Sequence, residues 1–219
     1  LHLAGKLPVM LNWTTGPANL AHAIRTLDIK RVVTSRRFVD RLRIEIQDAE
    51  FVFLEDIREG IGKWEQIRTL AATYLTPGGF LKALHKQDPD DPAVVLFTSG
   101  SESAPKAVPL SHRNLLTNVT ATVSSMVLRR EDAMLGALPP FHSFGLMANM
   151  IAPVTSGFRV VHHPDPTDAA GLVRMAAAYR PAITATTPTF LGYIFATATP
   201  EELSSITLVA TGAEKCPDA

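Results

Sequence analysis

An α/β fold with a largely parallel sheet is predicted, because short apolar runs rich in β-branched residues alternate with segments whose apolar residues recur at helical spacing. The 219 residues are 46% hydrophobic and 19% charged, so the chain can bury a substantial core. Ligands in such sheets bind at the carboxyl ends of the strands. A functional site is therefore expected in the loops after Phe97, Leu138, Thr186 and Ala210.

The same patterns predict the order of the elements. Strands are expected at 7–11, 31–34, 51–54, 94–97, 133–138, 159–162, 183–186 and 206–210. Helices are expected from Pro17, at 38–42 and 61–75, after Ser111, at 168–179 and from Pro188. The polar, proline-rich connector 87–92 is the best candidate for a subdomain break, which divides the chain into the segments 1–92 and 93–219.

Composition narrows the function classes. Lys plus Arg and Asp plus Glu both number 21, so net charge gives no argument for a nucleic-acid partner. The one cysteine, Cys216, excludes an internal disulfide and fits a reducing, cytoplasmic compartment. The longest apolar run, 144–154, is interrupted by Asn149 and Pro153 and is shorter than the roughly 20 residues that span a bilayer. The first residue is Leu1, and we expect the chain to be a piece of a longer protein.

A loop of small and hydroxylated residues follows the predicted strand 94–97. Its sequence, TSGSESAPK, runs from Thr98 to Lys106 and leads towards the helix predicted after Ser111. Small side chains let a backbone approach a ligand, and hydroxyls, backbone N–H groups and one lysine suit phosphate. The same composition also suits an ordinary Ser-rich surface loop. The pattern G-x-x-x-x-G-K-[ST] is absent, which disfavours a P-loop NTPase.

Three further segments follow predicted strands, and each allows a structural or a functional interpretation. Phe141 and His142 could form an aromatic core cluster or the mouth of an apolar pocket. Thr187 and Thr189 could cap a helix or border a site. The residues 212–214 could be a simple β-turn or contribute to a ligand site. Histidines at metal-ligand spacing are not seen, and no metal site is predicted.

The loop resembles the signature T-S-G-[ST]-[TE]-G-x-P-K-G of the adenylate-forming superfamily over nine consecutive positions. The segment 139–145 resembles that family's P-x-F-H-x-x-G motif, and 212–214 resembles its G-[GA]-[AE] segment. The resemblance implies the α/β fold of the large N-terminal domain, with mostly parallel sheets flanked by helices. It also implies ATP and Mg²⁺, with most of the Mg²⁺ ligands outside this chain.

The resemblance also implies roles for individual residues. Lys106 would face the β- and γ-phosphates of ATP, and His142 would line and gate the acyl site. The other acyl-site residues would be Phe141, Thr187 and Thr189. The nucleotide-binding residues would be Thr98, Ser99, Gly100, Ser101, Glu102, Ser103, Gly212, Ala213 and Glu214. The segment 1–92 would be the first part of the AMP-binding domain, truncated at its start. The segment 93–219 would be the part with the ATP loop, truncated before the remaining nucleotide motifs and the C-terminal domain.

The chain most resembles a subgroup that joins an acyl-[acyl-carrier-protein] synthetase to a 2-acylglycerophosphoethanolamine acyltransferase, and its long-chain fatty-acid relatives. The stretches that carry this resemblance are 3–12, 29–40, 97–106, 138–146 and 212–215. It implies a fatty acid as substrate and a carrier-protein phosphopantetheine or CoA as acceptor. It also implies an acyltransferase domain before Leu1 and a parent protein associated with the inner face of a bacterial membrane.

The chain departs from the family pattern at two positions. Ser103 and Ala107 stand where glycine is usual, and glycine reaches a positive φ at little cost. Further nucleotide motifs and the family's catalytic C-terminal lysine are not within these residues, so we expect the isolated piece to be inactive. The alternative is a degenerate, non-catalytic module that binds an acyl chain or a nucleotide.

Overall fold

The computed structural model describes residues 1–75, 78, 86–98, 104–126, 129 and 131–216. Helices and strands alternate along the chain, and the predicted α/β class is confirmed. The strands are β1 (Arg31–Thr34), β2 (Glu50–Phe53), β3 (Pro92–Phe97), β4 (Ala107–Ser111), β5 (Ala133–Gly136), β6 (Arg159–His162), β7 (Ile183–Thr186) and β8 (Leu208–Thr211). The helices are Pro17–Thr26, Arg36–Leu42, Leu54–Gly60, Lys63–Leu75, His112–Ser124, Ser143–Leu146, Ala152–Ser156, Ala169–Tyr179 and Pro188–Thr197, with 3-10 turns at His2–Ala4 and Trp13–Thr15 and a π-helical turn at Met147–Ile151.

The chain forms two compact units, Leu1–His112 and Arg113–Ala219. This boundary lies beyond the predicted break at 87–92, because the peptide groups of Val95 in β3 bond to residues at the start of the chain. Met10 N donates to Val95 O at 3.0 Å, and Val95 N donates to Pro8 O at 3.0 Å. The assignment of 1–92 and 93–219 as two portions of one longer domain stays a prediction.

The first unit contains two small sheets. The strands β1 and β2 are parallel, whereas β3 and β4 form an antiparallel hairpin. The predicted strand 7–11 is reduced to a single bridge between Val9 and Val95. Pro8 has no N–H to extend that ladder, which explains why a longer strand does not form there.

The strand β4 is not expected from the sequence. The predicted order is strand, loop, lysine and helix, but the structure places β4 between the loop and the helix that begins at His112. Pro109 argues against a strand in sequence-based reasoning, yet it pairs with Val95. The pairing is tolerated because the N–H and C=O of Val95 bond to Pro8 and Met10 on the other side of β3, so Val95 and Pro109 form a non-hydrogen-bonded pair and the missing N–H of Pro109 costs no ladder hydrogen bond.

The second unit is built on a four-stranded parallel sheet in the order β6-β5-β7-β8. Successive residues of a strand point to opposite faces, so Met134 and Leu135 enter two different core clusters. One cluster packs with Val119 and Ala152, and the other packs with Leu172, Val173, Ala176 and Ile194. Helices therefore cover both faces of the sheet, and the carboxyl ends of β5, β7 and β8 lie at one edge.

No helix in the ranges described above is both long and apolar enough to cross a membrane.

We predict that Leu135→Ala lowers the free energy of unfolding by about 2–5 kcal/mol, because it empties a site in the sheet core that is 1% exposed. Leu116→Ala is the matched control, since Leu116 is 49% exposed and its loss should cost about 0.5 kcal/mol or less. Urea unfolding followed by circular dichroism measures both changes. Equal losses in the two variants would contradict the assignment of Leu135 to the core.

Candidate functional site

The base of the predicted phosphate loop is closed by two hydrogen bonds in the first unit. Thr98 N donates to Lys106 O at 3.0 Å, and Lys106 N donates to Thr98 Oγ1 at 3.0 Å. This reciprocal pair holds together the two ends of a loop whose interior, 99–103, lies outside the described residues. The predicted nucleotide-binding residues Ser99, Gly100, Ser101, Glu102 and Ser103 all lie in that interior. Lys106 is exposed, so its ammonium group is accessible to a ligand.

Ala107 does not need the conformational freedom of glycine. It is the first residue of β4 and pairs with Phe97, and it is not among the described residues with a positive φ. Extended backbone suits a residue with a Cβ as well as it suits glycine. The departure from the family pattern at Ala107 therefore introduces no strain at the described end of the loop.

His22 supports the loop, although no sequence pattern indicates this contact. Its Nε2 lies 3.1 Å from Pro105 O, across 83 positions of the chain. A carbonyl can only accept, so the imidazole donates from Nε2 in this contact. Pro105 is buried, and a cavity of about 10 Å³ lies between the helix Pro17–Thr26 and the hairpin. That volume holds about one water molecule, so the helix packs closely against Pro105 at the end of the loop.

In the second unit, a tight turn after β5 positions Phe141 and His142. His142 N donates to Pro139 O at 3.2 Å, and Leu146 N donates to His142 O at 2.8 Å, which joins the turn to the following helix. The rings of Phe141 and His142 lie with their centroids 4.8 Å apart and their planes at 57°. Burial of part of the ring lowers the pKa of His142 below its ordinary value, although the residue as a whole is exposed. The imidazole is therefore neutral at pH 7.

Asn149 and Gly145 hold the turn against the helical segment that follows it. The side chain of Asn149 is buried at 2% exposure, and its Nδ2 donates to Leu138 O at 3.2 Å. Gly145 packs directly on the turn, because a Cβ added there would overlap the carbonyl oxygen of Pro139. In the sequence, Asn149 only interrupts an apolar run. Its contact with Leu138 depends on the π-helical turn Met147–Ile151, which no sequence pattern indicates.

Thr187 caps a helix, which is one of the two roles that the sequence allows. Its side chain is buried, and its Oγ1 accepts a hydrogen bond from Phe190 N at 3.4 Å. It therefore caps the helix Pro188–Thr197, which begins at the carboxyl end of β7. The predicted contact of Thr187 with an acyl chain stays a prediction.

The last loop of the described chain contacts the same helix. Glu214 Oε2 accepts hydrogen bonds from Thr189 Oγ1 at 2.6 Å and from Thr189 N at 3.3 Å. Ala213 has a left-handed backbone with φ +68°. Gly212 lies beside the ring of Phe144, since a Cβ added there would be 3.5 Å from Phe144 Cε1.

The predicted residues thus form two groups, one in each unit. Thr98 and Lys106 close a single loop in the first unit. The second group follows the carboxyl ends of the neighbouring strands β5, β7 and β8, as the sequence predicts; its members are Phe141, His142, Thr187, Thr189, Gly212, Ala213 and Glu214. Their binding and catalytic roles stay predictions. Within the described residues, no group of three or more His, Cys, Asp or Glu side chains could hold a metal ion.

A family model described as AMP-binding enzyme matches residues 1–219, the whole chain. The chain belongs to the AMP-binding enzyme family. The predicted resemblance to adenylate-forming enzymes is therefore confirmed at the level of the superfamily.

Relatives in this AMP-binding family include acid–CoA ligases. The chain is 28% identical over 184 residues to the acyl-CoA ligase sidI of Beauveria bassiana, a match that covers 78% of this chain and 31% of that protein. It is 35% identical over 105 residues to a long-chain-fatty-acid–CoA ligase of Bacillus subtilis, covering 47% and 19%. The chain matches less than a third of the length of each of these enzymes.

A solved AMP-binding relative confirms the fold. The fatty acyl-adenylate ligase from L. pneumophila, solved with acyl adenylate and pyrophosphate, superposes with a TM-score of 0.72. The sequence identity is 20%, and the match covers 98% of this chain and 37% of that one. The chain therefore has the predicted fold of the large domain of adenylate-forming enzymes.

We predict that Gly145→Ala destabilises the second unit by about 1–3 kcal/mol, because the new methyl group must push the Pro139 peptide away. Gly192→Ala is the matched control: nothing lies within 4 Å of a Cβ at that exposed helical position. Alanine there should stabilise the helix by about 0.5–1 kcal/mol. Thermal unfolding of both variants measures the difference, and opposite signs are expected. A Gly145→Ala variant as stable as the parent would contradict the close packing of the turn.

We predict that His142 titrates below its ordinary pKa of 6.5 in the folded chain and near 6.5 in the unfolded chain. The unfolded state then takes up its proton first as the pH falls through 6.5, so this residue does not affect stability well above that pH and lowers the free energy of unfolding as the pH falls towards the folded-state pKa. Nuclear magnetic resonance titration of the imidazole in buffer and in urea measures both values. A folded-state pKa at or above the unfolded-state value would overturn the assignment.

Proposed function

We propose that the complete protein carrying these residues is an ATP-dependent acid–thiol ligase that activates a fatty acid as its acyl adenylate and then transfers the acyl group to a thiol. One observation carries the proposal: the turn 139–142 and the turn 212–214 lie at one sheet edge in a chain that matches the AMP-binding family over its whole length. The names of the relatives, which include a long-chain-fatty-acid–CoA ligase, support a fatty acid as the substrate.

The first half-reaction joins the carboxylate to AMP. A carboxylate has no good leaving group at neutral pH, so its oxygen attacks the α-phosphorus of ATP, the bond to the β-phosphate breaks, and pyrophosphate leaves. This step needs the charge of the departing pyrophosphate held in place. Lys106 would supply a positive charge, and the Thr98–Lys106 hydrogen bonds would fix the ends of the loop. His22 would hold Pro105, the residue before the lysine.

The second half-reaction releases AMP. The thiol attacks the carbonyl carbon of the acyl adenylate, the bond to the AMP oxygen breaks, and a thioester forms. Phe141 and His142 would line the acyl site. A neutral imidazole suits this position, because the lowered pKa of His142 keeps a charge away from an apolar chain.

The finer features rest on the subgroup resemblance. It supports a carrier-protein phosphopantetheine as the acceptor, with CoA as the alternative that the relatives' names favour. It also supports a linked acyltransferase, phospholipid metabolism and a cytoplasmic protein at the inner face of a bacterial membrane. Mg²⁺ bound with ATP would offset more of the negative charge of the phosphates. Among the described residues, no group of three or more His, Cys, Asp or Glu side chains could hold it.

The degenerate binding module is the weaker alternative. Its support is the replacement of two loop glycines, but Ala107 lies in ordinary extended backbone and needs no glycine. Ser103 lies outside the described residues and favours neither function.

Fatty-acid-dependent exchange between ATP and labelled pyrophosphate, measured on the complete protein, tests the proposal. We expect exchange that requires a long-chain acid, and we expect the 219 residues alone to give none. Exchange is absent with every carboxylate if the protein is a binding module, and that result in a folded, complete protein would reject the ligase.

We predict that Lys106→Ala lowers the rate of exchange about 10- to 100-fold and lowers thioester formation from supplied acyl adenylate much less, because only the first step develops charge on pyrophosphate. Lys86→Ala, which removes an exposed lysine before the hairpin, is the control for the loss of one positive charge. Equal falls in the two half-reactions would contradict the role assigned to Lys106.

A further inference from the structure

We propose that Glu214 is a positioning residue that clamps the turn after β8 to the helix Pro188–Thr197, so that the nucleotide and acyl sides of the site are coupled. The inference rests on the proposed function and deepens it. It assigns the carboxylate of Glu214 to a contact within the protein, where the family resemblance implies a contact with the nucleotide. It likewise assigns the hydroxyl of Thr189 to a hydrogen bond with Glu214, where the resemblance implies a contact with the acyl chain.

The clamp consists of two hydrogen bonds that one carboxylate oxygen of Glu214 accepts from Thr189. Glu214 Oε2 accepts from Thr189 Oγ1 at 2.6 Å and from Thr189 N at 3.3 Å. The 2.6 Å distance is typical of a hydroxyl that donates to an ionised carboxylate. The amide belongs to the first turn of a ten-residue helix, where the backbone favours a nearby negative charge. The helix start and the two donors therefore both favour the side chain of Glu214 at this position.

The sheet brings these two residues together from 25 positions apart. The strands β7 and β8 are adjacent and parallel, with Thr186 opposite Thr211. Each strand is followed within three residues by one member of the clamp. The contact thus joins the two loops that the resemblance assigns to the acyl chain and to the nucleotide.

The backbone before Glu214 explains why a clamp is useful. Ala213 has φ +68°, a conformation that is unfavourable for a residue with a Cβ and that needs support from its surroundings. The side chain of the next residue supplies this support through Thr189. Loss of the clamp should release the turn and alter the face that Gly212 and Ala213 offer to the nucleotide.

A carboxylate is also poorly suited to bind the phosphates of ATP. An ionised carboxylate only accepts hydrogen bonds, and it repels the phosphates. Glu214 instead meets donors from both the backbone and the side chain of one residue, Thr189. The contact explains an acidic side chain in a turn that is predicted to bind the nucleotide.

The experiment compares Thr189→Val, Glu214→Ala and the double variant in the complete protein, by the exchange assay. Thr189→Val keeps the size of the side chain and removes the hydroxyl. Each single variant should raise the KM for ATP about three- to tenfold, the scale of one lost hydrogen bond to a charged group that is exposed to solvent. The double variant should be no worse than Glu214→Ala, because Glu214→Ala removes both hydrogen bonds of the clamp, including the hydroxyl bond that Thr189→Val removes. Thr189→Ser should restore the KM.

Glu202→Ala is the matched control. Thr199 N donates to Glu202 Oε2 at 2.8 Å, which forms a second Thr–Glu contact in the same unit. It lies in the segment that enters β8 at its amino end, whereas the clamp follows the carboxyl ends of β7 and β8. The control should leave the KM for ATP unchanged, and a rise equal to that of Glu214→Ala would show a non-specific effect and overturn the proposal.

Two other outcomes would overturn the clamp. Additive effects of the two substitutions would show that Thr189 and Glu214 act independently. A raised KM for ATP in Glu214→Ala with an unchanged KM in Thr189→Val would show that Glu214 contacts the nucleotide directly.

Amide hydrogen exchange separates failure of the clamp from failure of the proposed function. If the unaltered protein shows no acid-dependent exchange of pyrophosphate, the ligase proposal fails, but the clamp is still testable without substrate. Glu214→Ala should then speed deuterium uptake of the peptides that contain Thr189 and Ala213, and Glu202→Ala should not. Uptake unchanged by Glu214→Ala would overturn the clamp in either case.

Discussion

The parallel pairing of β5, β7 and β8 is the constraint on which the candidate site of the second unit depends. The residues of β5 and β7 are buried on both faces of the sheet, so a slip by one residue would move each side chain into the core cluster of the opposite face. With that register held, the chain leaves all three strands at the same edge. The turns that carry His142, Thr189 and Glu214 are neighbours for this reason, although 72 positions separate the first from the last.

Polar contacts with the backbone then shape each turn. Asn149 bonds to Leu138 O, and Thr187 accepts a bond from Phe190 N. Both side chains are buried, where a polar group without a partner is costly, and these bonds satisfy the Nδ2 of Asn149 and the Oγ1 of Thr187, whereas the buried Oδ1 of Asn149 has no partner. These contacts hold the loops and do not involve the exposed side chain of His142. A binding site on an α/β sheet needs loops whose backbone is held by buried contacts and whose ligand-binding side chains are accessible.

In the first unit, the predicted binding loop is positioned by the antiparallel hairpin β3–β4. The predicted phosphate loop connects β3 to β4, and its two ends are hydrogen-bonded to each other through Thr98 and Lys106. His22 adds a contact from the helix Pro17–Thr26 to the residue before the lysine. A loop whose ends are held in this way loses less entropy when it closes on a ligand.

The sequence by itself determined the α/β class, seven of the eight strands in the described part of the chain and the segments that follow their carboxyl ends, because hydrophobic periodicity and strand-end loops are local signals. It also carried the family motifs, since these are contiguous. Tertiary structure alone decided that β4 forms despite Pro109, that Val9 makes only a bridge, and that His22 reaches Pro105. It also decided that Glu214 bonds to Thr189. Each of these contacts joins residues distant in sequence, and their geometry depends on which strands lie side by side.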